Sequence, residues 1–283
     1  YIEEKYPDWI LFNFSVPGGS PDYFLFWLEQ FQSRNIKPDF VLIDNAVEAY
    51  NKVPTIKIDE CLINGLTPGF VFRYFNRYNK TELSSYIAKR LFRTYQYRPK
   101  ISTIQARMKN DFQLLYVYRE FRKKVMDELI KERGSASPSL SGNSTSSDEQ
   151  ILKYAVGDFN SYMTPYEFLD TMFEFQKDNY RILKELGVPH AGIWVRVAPS
   201  YLKLIKEKSQ MVPGTNEKKT PYGIWFPVFS DFHKSKNIPF WNMNDDPDYN
   251  CNAFTDASHM ASACFPDYTD FIFKNLESTL GSK

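Results

Sequence analysis

Four short, nearly continuous apolar runs most constrain what this chain can fold into. Each run is bounded by turn residues such as Pro, Gly, Asp or Asn, which is typical of a strand buried on both faces. The runs are residues 9–16, 40–43, 191–197 and 238–243. Buried strands of this kind occur in parallel sheets, where helices cover both faces.

The stretches between these runs repeat apolar residues at helical spacing. Helices are expected over residues 21–35, 164–186, 200–208, 222–236 and 266–280. Residues 9–43 then make a strand, a helix and a second strand, which is a βαβ unit. The alternation predicts an α/β fold, a three-layer sandwich with a mainly parallel central sheet, and we expect a single domain over residues 1–283.

Residues 81–133 follow a different pattern and predict a helical insertion of at least two helices, rich in Lys and Arg. Interleaved acidic residues favour a solvated helix face over a nucleic-acid surface. The whole chain has 35 Lys and Arg against 34 Asp and Glu, so it has no global field that attracts nucleic acid, and we expect no nucleic-acid partner. Residues 134–147, rich in Ser and Gly, predict a flexible loop.

The cysteines and the hydropathy limit which other classes of protein the chain could belong to, namely disulfide-rich, membrane-spanning and metal- or cofactor-binding proteins. Three cysteines, Cys61, Cys251 and Cys264, allow at most one disulfide, for which Cys251 and Cys264 are the nearer pair, with buried free thiols as the alternative. No apolar run approaches the ~18 residues that would span a bilayer. Because no His-x-x-x-His, Cys-x-x-Cys or phosphate-binding glycine loop occurs, we expect no metal and no cofactor.

Polar residues follow the predicted strands at their carboxyl ends, where open parallel sheets bind ligands. Glu48 follows the run at 40–43, and Arg196 lies at the carboxyl end of the run at 191–197, so either could bind a polar group of a substrate. Salt-bridged structural roles are the alternative. Tyr50, Tyr201 and Trp241 near these ends could stack on a sugar or pack in the core.

Of the three histidines, His259 has the most informative surroundings. Asp256 precedes it by three residues, in a loop before the last helix. Such a carboxylate can fix the ring tautomer and stabilise the imidazolium, as a general base that deprotonates a serine requires. A surface turn capped by the Asp is the alternative. His190, at a strand entrance, is interpreted as structural, and His233, beside lysines in a helix, as solvated.

Three sequence elements, taken in chain order, resemble those of the SGNH hydrolases. A strand from Asn13 ends at Gly18-Gly19, a second block runs from Pro38 to Asn45, and the Asp-x-x-His pair precedes the last helix. The closest likeness is to an uncharacterised group of spirochaete envelope proteins of this superfamily.

This resemblance implies a role for each matching residue. His259 would be the general base, and Asp256 would orient it. The backbone N–H of Gly19 (or Gly18) and the side-chain amide of Asn45 would stabilise an oxyanion. A plain turn at the glycines and an Asx turn at Asn45 are the alternatives.

The nucleophile that the family requires is missing, because no Gly-Asp-Ser occurs in the chain. Gly19-Ser20 resembles the Gly-Asp-Ser motif in following a predicted strand and preceding a helix, but Ser20 is better explained as a helix cap. The resemblance therefore implies that the serine and the first strand lie upstream of Tyr1. The expected function is a serine esterase or O-acyltransferase acting on acyl groups of a cell-envelope glycan. The protein would lie in the cell envelope, anchored upstream of Tyr1. The alternative function is that of a non-catalytic SGNH-like binding protein at the cell surface.

Overall fold

The computed structural model describes residues 1–15, 18–52, 65–92, 113–134 and 144–281. The chain forms two compact units. The first comprises residues 1–17 and 59–142, and the second comprises residues 18–58 and 143–283. The single SGNH-like domain over residues 1–283 stays a prediction.

Ten α-helices lie in the described residues: α1 (Ile2–Lys5), α2 (Pro21–Ser33), α3 (Pro68–Arg73), α4 (Lys80–Leu91), α5 (Gln113–Lys131), α6 (Asp148–Tyr162), α7 (Asp170–Leu186), α8 (Pro199–Glu207), α9 (Pro221–Lys236) and α10 (Phe265–Leu280). Three 3-10 turns are Val47–Tyr50, Phe75–Arg77 and Ser262–Cys264. None of the helices described here is both long enough and apolar enough to cross a membrane.

The first unit contains α1, α3, α4 and α5. The two helices expected within 81–133 are α4 and α5, and the residues between them lie outside the described part of the chain. A capping box fixes the start of α4, since Asn79 accepts from the Glu82 N–H and Glu82 from the Asn79 N–H, both at 2.9 Å. Most of the loop predicted at 134–147 also lies outside the described residues, at 135–143.

The strand predicted at residues 9–16 is wrong over its described part. Residues 9–15 have no regular structure, and Ile10 and Phe12 are 65% and 60% exposed. A strand needs a neighbour to satisfy its backbone N–H and C=O groups, and none of the described strands pairs with this run. The βαβ unit predicted from residues 9–43 is therefore not formed.

The second unit contains a small parallel sheet. Its strands are β1 (Val41–Asp44), β2 (His190–Trp194) and β5 (Phe240–Asn242), in the order β1-β2-β5. The strands predicted at 40–43, 191–197 and 238–243 are confirmed. A separate antiparallel ribbon joins β3 (Gln210–Met211) to β4 (Lys218–Lys219). The fold is mixed α/β, with the three-stranded sheet packed between helices.

Helix α7 starts later than its sequence predicts. The cap and proline at 164–165 favoured a start there, whereas the helix begins at Asp170. Residues 167–169 instead pair with 50–52, through Lys52 N–H to Glu167 O and Leu169 N–H to Tyr50 O, both at 2.8 Å. Tertiary pairing therefore overrides the local helix signal.

Gly192, in the middle of β2, lets the helices approach the sheet closely. A Cβ atom there would lie 2.6 Å from the Tyr180 hydroxyl, 2.6 Å from His233 Cε1 and 2.7 Å from Asn45 Nδ2. The prediction that His233 is solvated is wrong, because its ring is 2% exposed and packs among aromatic side chains of α7 and α9. His190 is structural as predicted, since its Nδ1 lies 2.7 Å from the carbonyl oxygen of residue 188.

Candidate active site

A closed loop carries the Asp-x-x-His pair. A disulfide joins Cys251 to Cys264, so the free-thiol alternative is not adopted. Within this loop the Thr255 N–H donates to His259 O at 2.9 Å, and the Thr255 hydroxyl lies 3.2 Å from the same oxygen. The segment between the two cysteines is thus folded back on itself by covalent and backbone bonds.

Two further bonds attach this loop to the rest of the second unit. The Ala198 N–H, just before α8, donates to Ala257 O at 2.9 Å. The Ser146 N–H, just before α6, donates to Phe254 O at 2.8 Å. Because β2 leads into Ala198, the loop is fixed near the carboxyl end of that strand.

Asp256 and His259 form a close pair. His259 Nδ1 lies 2.9 Å from both carboxylate oxygens of Asp256. Asp256 Oδ1 also accepts the backbone N–H groups of Ser258 and His259, each at 2.9 Å. The carboxylate therefore caps the turn and orients the ring at once, so the two interpretations of the motif describe one arrangement.

The free nitrogen of His259 faces outwards. Donation from Nδ1 to Asp256 leaves Nε2 as the proton acceptor of the neutral ring. None of the described residues forms a hydrogen bond with Nε2, and the side chain is 75% exposed. The imidazole can therefore take a proton from a group that approaches from solvent.

The pKa values of the pair move in opposite directions. The hydrogen bond that His259 donates to Asp256, and then the charges of Asp256, Glu48 and Asp158, raise the pKa of His259 above its ordinary value of 6.5, against the opposing effect of burial. Burial alone would raise the pKa of Asp256, but the hydrogen bond and charge of His259 outweigh it and hold that pKa below its ordinary value. The ion pair exists between these two pKa values.

Two more carboxylates act on His259 from other elements. Glu48 lies in the 3-10 turn after β1, where its Oε1 accepts from the Tyr201 hydroxyl at 3.0 Å, and burial raises its pKa. Asp158 comes from α6, and burial followed by the charges of Asp256 and Glu48 raises its pKa to about 6. Asp158 was not among the predicted site residues, because only the fold brings α6 close to the pair.

Asp44, which the sequence places at the carboxyl end of a predicted strand, is the last residue of β1. The protein packed around its carboxyl desolvates it and, with the charge of Glu48, raises its pKa to about 7, although part of the residue stays accessible to water. The hydrogen bonds that its carboxylate accepts from the backbone of Asn45 and Val195 oppose this rise. Asp44 thus places a carboxyl with a raised pKa at the carboxyl end of the sheet.

The Asn45 amide is fully buried and already bonded. Its Nδ2 donates to Ile43 O at 3.0 Å and to the Tyr180 hydroxyl at 3.2 Å. Its Oδ1 accepts from Gln176 Nε2 at 2.9 Å and from the Tyr50 hydroxyl at 3.4 Å. This network joins the end of β1 to α7, and the role of Asn45 as an oxyanion donor stays a prediction.

Gly19 lies just before α2, and Gly18 takes the left-handed conformation, with φ of 70°. Ser20 is the N-cap residue of α2, but its hydroxyl donates to Asp22 and makes no capping bond. None of the contacts found in the described residues joins Gly19 or Ser20 to His259. The oxyanion role of Gly19 stays a prediction.

The Arg196 side chain contacts neighbouring residues of the second unit. Its guanidinium donates to Asn252 Oδ1 at 2.9 Å and to Met243 O at 3.3 Å, and it lies 5.5 Å from the centre of the Tyr249 ring. These contacts tie the start of the disulfide-closed loop to β2. Its substrate-binding role, and that of Glu48, stay predictions.

The three aromatic residues at the strand ends lie in the core: Tyr50, Tyr201 and Trp241 are buried. Core packing, rather than a sugar platform, is therefore what they provide. Within residues 1–15, 18–52, 65–92, 113–134 and 144–281, no group of three or more His, Cys, Asp or Glu side chains is arranged to hold a metal ion.

Fold and site together define a mixed α/β protein with an oriented histidine–carboxylate pair near the carboxyl end of a parallel sheet. The chain belongs to the DUF1574 family, described as a protein of unknown function, whose profile matches residues 1–276. No curated protein matches the chain. No solved structure matches it either.

Proposed function

We propose that this protein is a serine ester hydrolase or O-acyltransferase of the SGNH type, acting on acyl groups of a cell-envelope glycan. The observation that carries the proposal is the Asp256–His259 pair, with Nε2 exposed beside the sheet. A proton acceptor oriented by a carboxylate is what activation of a serine hydroxyl needs.

The proposed reaction has two halves, acylation and deacylation of the serine, and in each half His259 takes up one proton and then releases it. As the serine oxygen attacks the ester carbonyl, Nε2 takes the hydroxyl proton, and Asp256 stabilises the resulting imidazolium. Collapse of the tetrahedral intermediate breaks the ester bond, and the leaving alkoxide takes the proton from Nε2. Water or a second hydroxyl then attacks the acyl-enzyme, by the same proton transfers, and releases the serine.

The proposal requires a serine that no Gly-Asp-Ser motif of this sequence supplies. The edge of β1 opposite β2 has no partner strand in the part of the chain that the structure describes. A further strand along this edge, as in the three-layer SGNH arrangement, would bring its carboxyl end beside Asp44. We therefore propose that the nucleophilic serine lies on a strand that pairs with this edge.

The oxyanion donors would be the Gly19 N–H and the Asn45 amide. In that role Asn45 Nδ2 would exchange its bond to the Tyr180 hydroxyl for the oxyanion. We also propose a location in the cell envelope. The Cys251–Cys264 disulfide supports an oxidising compartment, because structural disulfides are rare in reducing ones.

The test uses the full-length protein with a p-nitrophenyl acetate substrate. We expect His259→Ala to lower the rate by about a thousandfold or more, because the serine loses its base. His190→Asn, at the opposite end of β2, is the matched control and should keep the rate. Equal rates for His259→Ala and the parent protein would refute the proposal, as would the absence of labelling by a fluorophosphonate.

A second candidate is a non-catalytic SGNH-like binding protein of the cell surface. The saturated hydrogen bonding of Asn45 favours it, since no further acceptor is needed to satisfy that amide. It predicts that the full-length protein binds acylated glycan fragments without turnover, and that His259→Ala leaves the affinity nearly unchanged. Calorimetric titration together with product analysis separates the two candidates.

A further inference from the structure

One edge of helix α6 carries an aromatic ring and a carboxyl group beside the Asp256–His259 pair. The side of α6 that packs on the protein consists of Ile151, Ala155 and Phe159. Tyr154 and Asp158 each come one position before a buried residue, and because they are four residues apart they lie on the same edge of that side. We name these two side chains the α6 edge.

The α6 edge lies along the disulfide-closed loop that carries His259. Just before α6 begins, the Ser146 N–H and hydroxyl donate to two backbone carbonyls of that loop, at 2.8 and 2.7 Å. About three turns further along the helix, the charge of Asp158 contributes to the raised pKa of His259. Tyr154 lies between these two positions, one turn before Asp158, so it flanks the approach to His259.

Neither member of the α6 edge is used by the fold. Within the described residues, the Asp158 carboxyl forms no hydrogen bond or ion pair, although it is partly buried. The Tyr154 side chain forms no hydrogen bond there and its ring contacts no other ring, and the residue is 44% exposed. A partly desolvated carboxyl without a donor is unfavourable, and a ligand with hydroxyl groups would supply the missing donors.

We infer that the α6 edge is a subsite for one sugar ring of the glycan, with Tyr154 stacked on the apolar face of the sugar and Asp158 accepting hydrogen bonds from its hydroxyl groups. The Cβ atoms of residues four apart on a helix are about 6 Å apart, so one sugar can contact both side chains. An acyl group on that sugar would then point towards Nε2 of His259. The inference rests on the proposed function for the glycan, and it holds for the catalytic and the binding candidate alike.

Isothermal titration calorimetry of the full-length protein with unacylated tetramers of N-acetylglucosamine, glucose and galactose tests the subsite without any turnover. The titrations are run at pH 8, where Asp158, with a pKa of about 6, is ionised. We expect at least one tetramer to bind, and Tyr154→Ala to weaken its binding about tenfold, whereas Tyr154→Phe keeps the ring and the affinity. Asp158→Asn should weaken binding about fivefold, because a neutral amide accepts weaker hydrogen bonds than a carboxylate.

Val156→Ala is the matched control, since Val156 is exposed on the opposite edge of the same helix, and it should bind like the parent protein. Circular dichroism checks that each variant is folded. Failure of all three tetramers to bind, unchanged affinity in Tyr154→Ala, or an equal loss in Val156→Ala would overturn the inference. Binding that depends on Tyr154 in a protein that fluorophosphonate does not label would support the subsite and refute the esterase, so the two failures are distinguishable.

Discussion

Removal of the Cys251–Cys264 disulfide should lower the free energy of unfolding of the second unit. The bridge joins residues 13 apart in sequence. The loop-closure relation for a loop of this length gives about 3 kcal/mol, because the cross-link removes conformational entropy from the unfolded chain. We expect the hydrogen bonds within the loop to hold the folded state after reduction, so the change in stability comes from the freedom that the unfolded chain gains.

Urea unfolding followed by tryptophan fluorescence measures this loss. Four of the five tryptophans lie in the second unit: Trp27, Trp194, Trp225 and Trp241. The fluorescence therefore reports mainly on the unit that contains the disulfide. We expect the midpoint to fall both on reduction with dithiothreitol and in the Cys251→Ala, Cys264→Ala double variant.

The remaining cysteine provides the control. Cys61, which lies outside the described residues, is changed to Ser, and this variant should unfold like the parent protein under oxidising conditions. The double variant should lose its sensitivity to dithiothreitol, whereas the Cys61 variant should keep it. A loss of less than about 1 kcal/mol on reduction would show that loop entropy does not account for the role of this bridge.

Three other changes give separate tests. Gly192→Ala should cost about 1–3 kcal/mol of unfolding free energy by overpacking, measured by urea unfolding, and an unchanged midpoint would contradict the close packing at β2. Asp256→Asn should lower the pKa of His259, followed by NMR of the ring protons, and an unchanged pKa would mean that the pair is not formed in solution. Asp44→Asn should gain stability relative to the parent as pH rises from 3.8 to about 7, because in that range the folded parent retains a proton that the unfolded chain releases. A stability difference independent of pH would refute the raised pKa of Asp44.

The parallel strands were predictable because their signal is local. The runs at 40–43, 191–197 and 238–243 are apolar throughout and end at turn residues, and each forms a strand of the sheet. The run at 9–16 has the same local signal, yet its described part is exposed and irregular. A strand is stabilised by its neighbour, and an apolar pattern contains no information about whether a neighbour is available.

The site was predictable to the extent that it is contiguous in sequence. Asp256 and His259 are three residues apart, so their pairing depends on one turn, and that turn forms. Asp158, Glu48 and Tyr201 come from three other elements, and only the tertiary fold brings them to the same region. The burial of His233 escaped prediction for a related reason, since neighbouring lysines say nothing about which side of a helix meets the core.

The charges around His259 bear on the chemistry that it can perform. Glu48, Asp158 and Asp256 all raise its pKa, which makes the ring a stronger base but leaves less of it neutral near pH 6.5. The same negative charges oppose an oxyanion nearby, unless donors such as the Gly19 N–H lie closer to it than the carboxylates do. Protonation of Asp158 and Asp44, with pKa values of about 6 and about 7, reduces that repulsion as pH falls. If His259 is the base of an acyl transfer, we therefore expect the rate to fall as pH drops through its raised pKa, so the acidic limb of the pH profile lies at higher pH than for an isolated histidine.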